Sequence, residues 1–432
     1  MRKFSFNILR LIFILSFITG GLVLVGFNNS YLNLSINFLT IVFILVAFIL
    51  KKSSFIIPAH KSLFIFLSVI IISFIINRPD LILFIFFIKQ FILPILFFYA
   101  LFNVTFNSYQ NSKLFSLVKL LFFIQLPAML VKFYFYGIQE DIVGVISVEG
   151  GSISTILPIL AIAYLIPRYY NFKSFSSLVY IILFIAFSLI GAKFAIIYYT
   201  ILVYFIAIIV LKKNNNFLVW FLKFGKMFLL FLICIILFIK INPRMNPEKS
   251  SWGTVNLDYI YTFTTMYSNM NVLSKNDAKA HGRITAFPVI YKILLDKGPV
   301  HFLFGNGPGD IIKSEMFDHK DPLLEKYNVG YGGRLGVFFI FIQLGLVGLI
   351  SFLIFIYSLY KKSSISQINQ KYYRSFNVSV TLFFLIFILD FFTYSTILLL
   401  NIGMSLVFYF LIYRAISENK IYFQELLEKN IK

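Results

Sequence analysis

"LILFIFFIKQFILPILFFYALF", residues 81–102, holds a single charged side chain, Lys89. About 20 consecutive apolar residues in a helix cross the roughly 30 Å hydrocarbon layer of a membrane. Working outward, the same kind of run recurs along all 432 residues, which are 60% hydrophobic and 13% charged with a mean hydropathy of +0.89. A soluble domain averages about 45–50% apolar and about 25% charged residues. The chain therefore has far more Phe, Ile and Leu than a water-soluble core can bury, and it reads as an all-α polytopic membrane protein.

Apolar periodicity and run length place about twelve transmembrane helices at 8–27, 32–50, 62–77, 81–102, 114–136, 153–168, 176–192, 194–211, 217–241, 335–358, 377–394 and 396–413. The N-terminal "MRKFSFNILRLIFILSFITGGLVLVGF" is too long in its apolar part for a signal peptide, and no small-residue cleavage site follows, so it is read as the first helix. The lone cysteine, Cys234, excludes an intrachain disulfide and Cys-rich metal sites.

The net charge of +21 would point a soluble protein toward nucleic acid. Here the Lys/Arg clusters fall at every second boundary: Arg2/Lys3/Arg10, Lys51/Lys52/Lys61, Lys113, Arg168/Lys173, Lys212/Lys213, Lys361/Lys362/Lys371/Arg374 and Arg414/Lys420. That is the positive-inside pattern, and it puts both termini in the cytoplasm with no need for a nucleic-acid partner. The chain divides into residues 1–241 (helices one to nine), 242–334 (one large extracytoplasmic loop between helices nine and ten), 335–413 (helices ten to twelve) and 414–432 (a cytoplasmic tail). Residues 242–332 carry ten Lys/Arg and nine Asp/Glu, a net charge of +1, so the excess positive charge lies on the cytoplasmic side. The protein is expected in the cytoplasmic (inner) membrane with its working face outside.

The long loop contains "HGRITAFPVIYKILLDKGPVHFLFGNGPGD", His281–Asp310. Ile284, Phe287, Tyr291, Leu294 and Leu295 recur at helical spacing and Gly298-Pro299 ends the run, which predicts an amphipathic helix at the outer interface, begun by Arg283 next to His281. The turn "FGNGPGD" (Gly305, Gly307, Gly309) is neither a P-loop nor a Rossmann fingerprint. It reads as a bend needing positive φ, or as backbone N–H groups that approach an anion. Arginine is the residue suited to paired hydrogen bonds with phosphate, although an Arg at this depth also serves as a lipid anchor. Lys89, in mid-span, is a functional candidate expected to face the interior or an outward-opening cavity, or else to snorkel or pair with Asp390. Lys193, in "SLIGAKFAII", and Glu149, in "SVEGGSIS", stand at outer span ends, as do ordinary interfacial anchors and helix-proximal carboxylates. His281, His301 and His319 are loop histidines, and Arg244 and Arg334 flank the loop. No metal-ligand or cofactor pattern is present in the sequence.

Taken in order, "FSLIGAKFAIIYY", "GRITAFPVIYKILLDKGPVHFLFGNGPGD" and "GGRLGVFFIFIQLGLVGLI" resemble the O-antigen polymerase and O-antigen ligase superfamily. The resemblance covers the twelve-span architecture and, at residue level, roughly 180–350. It implies a GT-C-like membrane glycosyltransferase that uses undecaprenyl-pyrophosphate-linked oligosaccharides, in contact with membrane lipids and with a chain-length regulator as a conceivable protein partner. Lys193 stands where the family usually carries Arg. Gly333-Arg334 stands where ligases carry a His-Asn pair, which favours the polymerase branch. The resemblance implies that Arg283, Lys193, Arg334 and Lys89 hold the pyrophosphate, and that His281, Glu149 or Asp310 accepts the proton of the attacking hydroxyl. Pyrophosphate is already a good leaving group, so the reaction is expected to be metal-independent and without cofactor. The alternatives are an O-antigen ligase and a lipid-linked oligosaccharide flippase. A flippase is expected to show repeated halves, and no internal repeat is legible.

Overall fold

The computed structural model describes residues 2–50, 58–104, 106–137, 142–148, 151–191, 193, 195–211, 225, 232–233, 235–236, 239–240, 242, 245–250, 252–262, 270–271, 280–312, 322–330, 334–364, 370–393 and 396–431. Eight described helices are long and apolar enough to cross a membrane: Arg2–Leu24 (α1), Asn29–Ile49 (α2), His60–Asn77 (α3), Leu81–Val104, Ser108–Tyr136, Ile153–Phe172 (α8), Gly336–Ser363 (α14) and Lys371–Thr393 (α15). Phe175–Ile190 (α9) and Ala195–Leu211 (α10) are shorter apolar helices. The protein is a helical, multi-pass membrane protein.

Its faces are partitioned as lipid demands. On α3 the hydroxyls of Ser62 and Ser73 turn inward while Phe64, Ile71 and Ile75 are exposed. On α2, Phe38, Ile41 and Leu45 are exposed while Asn37 and Thr40 are buried. Hydrocarbon solvates Phe as well as a protein core does, so apolar side chains are left outside, and small or polar ones are drawn to the helix contacts. Close approach is built the same way: a Cβ on Gly20 of α1 would lie 2.2 Å from the Ser147 backbone.

The expected spans agree with the helices, with local departures. Span four is interrupted: Leu81–Phe87 (α4) passes into a π-helical turn, Ile88–Ile92, before Leu93–Val104 (α5). Span five steps at Ile124 between Ser108–Phe123 (α6) and Gln125–Tyr136 (α7). Span nine, 217–241, lies mostly outside the described residues. In the long loop, the described helices are Arg283–Asp296 (α11), Pro299–Phe304 (α12) and Pro322–Tyr327 (α13), with a ladder pairing Met270–Asn271 and Ala280–His281. Span twelve is split into Ile397–Leu400 (α16) and Ile402–Ile431 (α17), and α17 runs without a break through the boundary expected at 413/414.

Helix ends sort onto two faces. On one, Arg374 donates to the Leu211 carbonyl, Asn419 to the Ser363 carbonyl, and Asn171 to Ser375 Oγ. On the other, Gly191 packs on Ile142 and Ser154, and Gly307 packs on Asn77 and Pro79. The second face carries the long loop and is called the loop face below.

The loop is locked into α14 by glycine. Gly345, inside α14, has φ 69° and ψ −167°, which breaks the helix. A Cβ there would meet the Leu303 carbonyl carbon and oxygen at 2.3 Å. The break frees the carbonyls of Ile342 and Gln343, and the Asn306 and Gly307 N–H groups fill them at 2.8 and 3.1 Å. Gln343, fully buried, accepts the Gly309 N–H on its Oε1 at 2.7 Å. Ser73 of α3 donates to the Phe304 carbonyl at 2.7 Å. Irregular backbone at membrane depth is tolerated only where protein or water satisfies it, and here the loop satisfies it.

Candidate functional site

Gly305, Gly307 and Gly309 have φ of 75°, 102° and 107°, so the bend reading of "FGNGPGD" holds. The Gly305 N–H goes to the His301 carbonyl, those of Asn306, Gly307 and Gly309 go to α14, and that of Asp310 goes to the Gly307 carbonyl. With those donors committed, the turn is a plug for the α14 break and offers no cradle to an anion.

Asp310 completes the plug. Its carboxylate accepts from Lys326 Nζ at 2.6 Å and from the Tyr327 hydroxyl at 2.8 Å, while Tyr327 accepts from Asn306. Burial, reinforced by the adjacent Asp310 charge, pushes the Tyr327 hydroxyl pKa upward, so this hydroxyl stays a donor. Asp310 thus ties the turn to α13.

The amphipathic helix α11 carries two apolar faces rather than one. Ala286, Ile290 and Leu294 are buried on a strict i, i+4, i+8 stripe against the protein. Of the residues expected to form the apolar stripe, Leu294 is on this buried side, whereas Ile284 (65% exposed), Phe287, Tyr291 and Leu295 are exposed. Such a helix has one side on the fold and a greasy side for the membrane interface. Thr285 Oγ1 accepts the Gly282 N–H at 3.1 Å and fixes its start. His281 is held by its backbone: its N–H donates to the Asn328 carbonyl at 2.7 Å, and its carbonyl accepts from Gly330 at 3.1 Å.

Arg283, half-buried at the first turn of α11, lies close enough to the Tyr199 hydroxyl of α10 for its charge to be felt there. The Tyr199 hydroxyl is 2.8 Å from Thr393 Oγ1 at the end of α15. One turn earlier on α15 is Asp390, 1% exposed. Its carboxylate takes the N–H of Leu398 on Oδ2 at 2.9 Å and so caps the start of α16. Arg334 stands just before Gly336, where a Cβ would meet Thr396 at 2.4 Å. Half-burial draws the Arg334 guanidinium below the ordinary arginine pKa by desolvation, yet arginine keeps its charge. Arg283 therefore lies by the loop-face end of α15, where Tyr199, Thr393, Thr396 and Asp390 supply polar groups, and Arg334 stands in the chain two residues before the contact of Gly336 with Thr396.

The remaining candidates fall elsewhere. Lys193 is half-buried in the α9–α10 hairpin, its N–H bonded to the Ser188 carbonyl at 3.0 Å. Lys89 sits in the π-helical turn but is exposed, with its ammonium 4.8 Å from the Phe86 ring centroid, so it is not packed into the interior. It has no carboxylate partner among the described residues, since Asp390 is spent on the α16 cap; the neighbouring Gln90 donates to the Leu400 carbonyl at 3.5 Å. Glu149, Arg244 and His319 lie outside the described residues. Among the described residues no group of His, Cys, Asp and Glu is placed to hold a metal.

Sequence reasoning passed over Tyr199 and Thr393, and it treated Asp390 only as a partner for Lys89. Asp390 had a signal, being the only acid in its span. Lys132 on α7 had one too: it is buried, 8% exposed, with Nζ on the Ser147 carbonyl at 3.2 Å. Fold and site together define a multi-pass helical membrane protein with a cationic, hydroxyl-rich end under an interfacial helix. Comparison with protein-family models, with curated proteins and with solved structures finds no match for this chain.

Proposed function

We propose that this chain is a polysaccharide polymerase of the O-antigen or capsule type. It transfers a growing glycan from undecaprenyl pyrophosphate to a lipid-linked repeat unit at the outer face of the cytoplasmic membrane. The observation that supports the reading is the place of Arg283 beside Tyr199 at the end of α15, at the start of a helix whose exposed face is apolar, with Arg334 two residues ahead of Gly336 in the chain. A lipid pyrophosphate whose isoprenoid stays in the bilayer must present its charge at that level. In this reading the two guanidiniums hold the pyrophosphate and stabilise it as it leaves. The acceptor hydroxyl oxygen bonds to the anomeric carbon, the bond from that carbon to the phosphate oxygen breaks, and the hydroxyl proton passes to His281. Lys193 stands at the loop-face start of the helix that carries Tyr199 and adds positive charge to the approach.

The test is mass spectrometry of lipid-linked glycans in a deletion strain carrying Arg283→Ala, with membrane levels matched by blot. Single lipid-linked units accumulating outside, in place of long chains, support the polymerase. Units trapped inside make the protein a flippase, and long lipid-linked chains that never reach a final acceptor make it a ligase.

A further inference from the structure

Far from the candidate site, α6, α8, α15 and α17 leave an open cleft between them. Its walls are apolar: Phe122, Phe123, Leu160 and Phe383 line it. One charged side chain, Lys119, reaches into it, and Tyr164 closes the same end.

That end is cationic. Arg168 donates to the Tyr164 hydroxyl at 2.6 Å. The Arg414 guanidinium lies 4.0 Å from the centroid of Phe115, another wall residue, and the Lys119 ammonium lies 5.2 Å from the same ring. Arg168 and Arg414 are both near enough to Lys119 to act on its charge. Glu418, paired with Arg414, is the one carboxylate bonded to any of these three cations among the described residues. Three positive charges against one negative leave a local excess of two.

The cations also lie on one side of the cleft. Arg168 is in the last turns of α8, and Arg414, midway along α17, shares its surroundings with Asn111 and Tyr372, which are near the starts of α6 and α15, opposite the loop face. From them the cleft runs inward along Phe122, Phe123 and Phe383. This is the layout of an amphiphile whose anionic head is at the interface and whose chain points toward mid-membrane.

We propose that this cleft is a binding site for an anionic glycerophospholipid of the leaflet opposite the loop face, with its phosphate among Lys119, Arg168 and Arg414 and one acyl chain along the Phe-lined wall. The proposal is independent of the glycan reading.

The experiment uses the full-length protein, reconstituted in nanodiscs of mixed phosphatidylglycerol and phosphatidylcholine, released into mild detergent and examined by native mass spectrometry. Wild type is expected to retain phosphatidylglycerol in preference to phosphatidylcholine. A cation near the membrane surface is worth about 1 kcal/mol, so Lys119→Gln should lower that preference about fivefold. Ala161→Phe places a ring in the cleft and should expel the acyl chain while leaving the cations in place. If that variant fails to fold, Lys119→Gln decides alone, because Lys119 is partly exposed and holds no structural ion pair among the described residues. Equal retention of both lipids by wild type overturns the site, as does a preference that Lys119→Gln leaves unchanged. Retention of added undecaprenyl phosphate in place of phosphatidylglycerol overturns the phospholipid assignment.

Discussion

Gly345→Ala is the perturbation that most sharply tests the plugged break in α14. The native backbone at Gly345, φ 69° and ψ −167°, belongs to a region that is essentially reserved for glycine and costs other residues about 1–3 kcal/mol. Gly298, with φ 106° and ψ 166°, has the same kind of backbone but nothing within 4 Å of its missing Cβ. Gly298→Ala therefore reports the strain alone. At Gly345 the new methyl also collides with the Leu303 carbonyl and the Gly305 nitrogen, both of them backbone. Relief requires the loop to withdraw, which strands the Ile342 carbonyl at about 1–3 kcal/mol and leaves that of Gln343 with the Ser73 hydroxyl alone. The excess of Gly345→Ala over Gly298→Ala is thus about 1–3 kcal/mol, or roughly a five- to 150-fold larger open population. Ile311, 2% exposed behind the turn, is the reporter: in a Cys234→Ser chain, Ile311→Cys is labelled only from the open form. Labelling of the Gly345→Ala chain no faster than that of the Gly298→Ala chain would refute the plug.

Three further outcomes follow from the same geometry. Arg283→Ala is expected to lower polymerisation by about 10²–10³, and Arg283→Lys to remain impaired because an ammonium lacks the paired donors, read as chain length at equal protein level; wild-type chains from Arg283→Ala would leave α11 as an anchor only. Lys89→Leu should keep wild-type chain lengths and insert at least as well, since an ammonium in hydrocarbon costs about 2.5–3.5 kcal/mol and this one is not packed into the interior; short chains at normal protein levels would return Lys89 to the substrate path. An impermeant thiol reagent on intact cells should label a cysteine placed at 274 and spare one at 364, and the reverse pattern would invert the topology.

Much of the helical order was legible because run length and charge alternation are properties of the chain alone. The starts of α3, α4, α8 and α14 fall within a few residues of the expected spans. What sequence could not supply was context. The π-helical turn at Ile88–Ile92 and the break at Gly345 depend on which neighbour fills the freed carbonyls, and that neighbour can be distant in sequence: Asn306 and Gly307 for α14, Ser73 beside them. The turn glycines were recognisable as needing positive φ, but not that their N–H groups were committed. The apolar stripe of α11 was assigned to one side because periodicity counts apolar residues and cannot tell protein from lipid as the surface they meet. Ile284, Phe287, Tyr291 and Leu295 face away from the fold, and the smaller Ala286 sits on the protein side, where close approach is needed.

The two anchorages of the loop explain why the polar end of α15 can be built so close to hydrocarbon. An arginine on a free 90-residue loop would lose conformational entropy each time it met a phosphate, and its position would vary by more than a hydrogen bond tolerates. Arg283 avoids this because α11 is pinned on both sides. Ahead of it, His281 is bonded to Asn328 and Gly330, near the return to α14. Behind it, α12 leads at once into the glycine plug in the α14 break. Arg334 leads directly into α14, so the chain at both arginines is tied to that helix. Asp390 serves the same end from the other side: by capping α16 with its carboxylate, it fixes Thr396 against Gly336 and holds the start of α14 to the end of α15. Loosening any one of these contacts moves the arginines relative to the hydroxyls of Tyr199 and Thr393, so variants that touch no substrate, Gly345→Ala among them, should cost activity as well as loop protection.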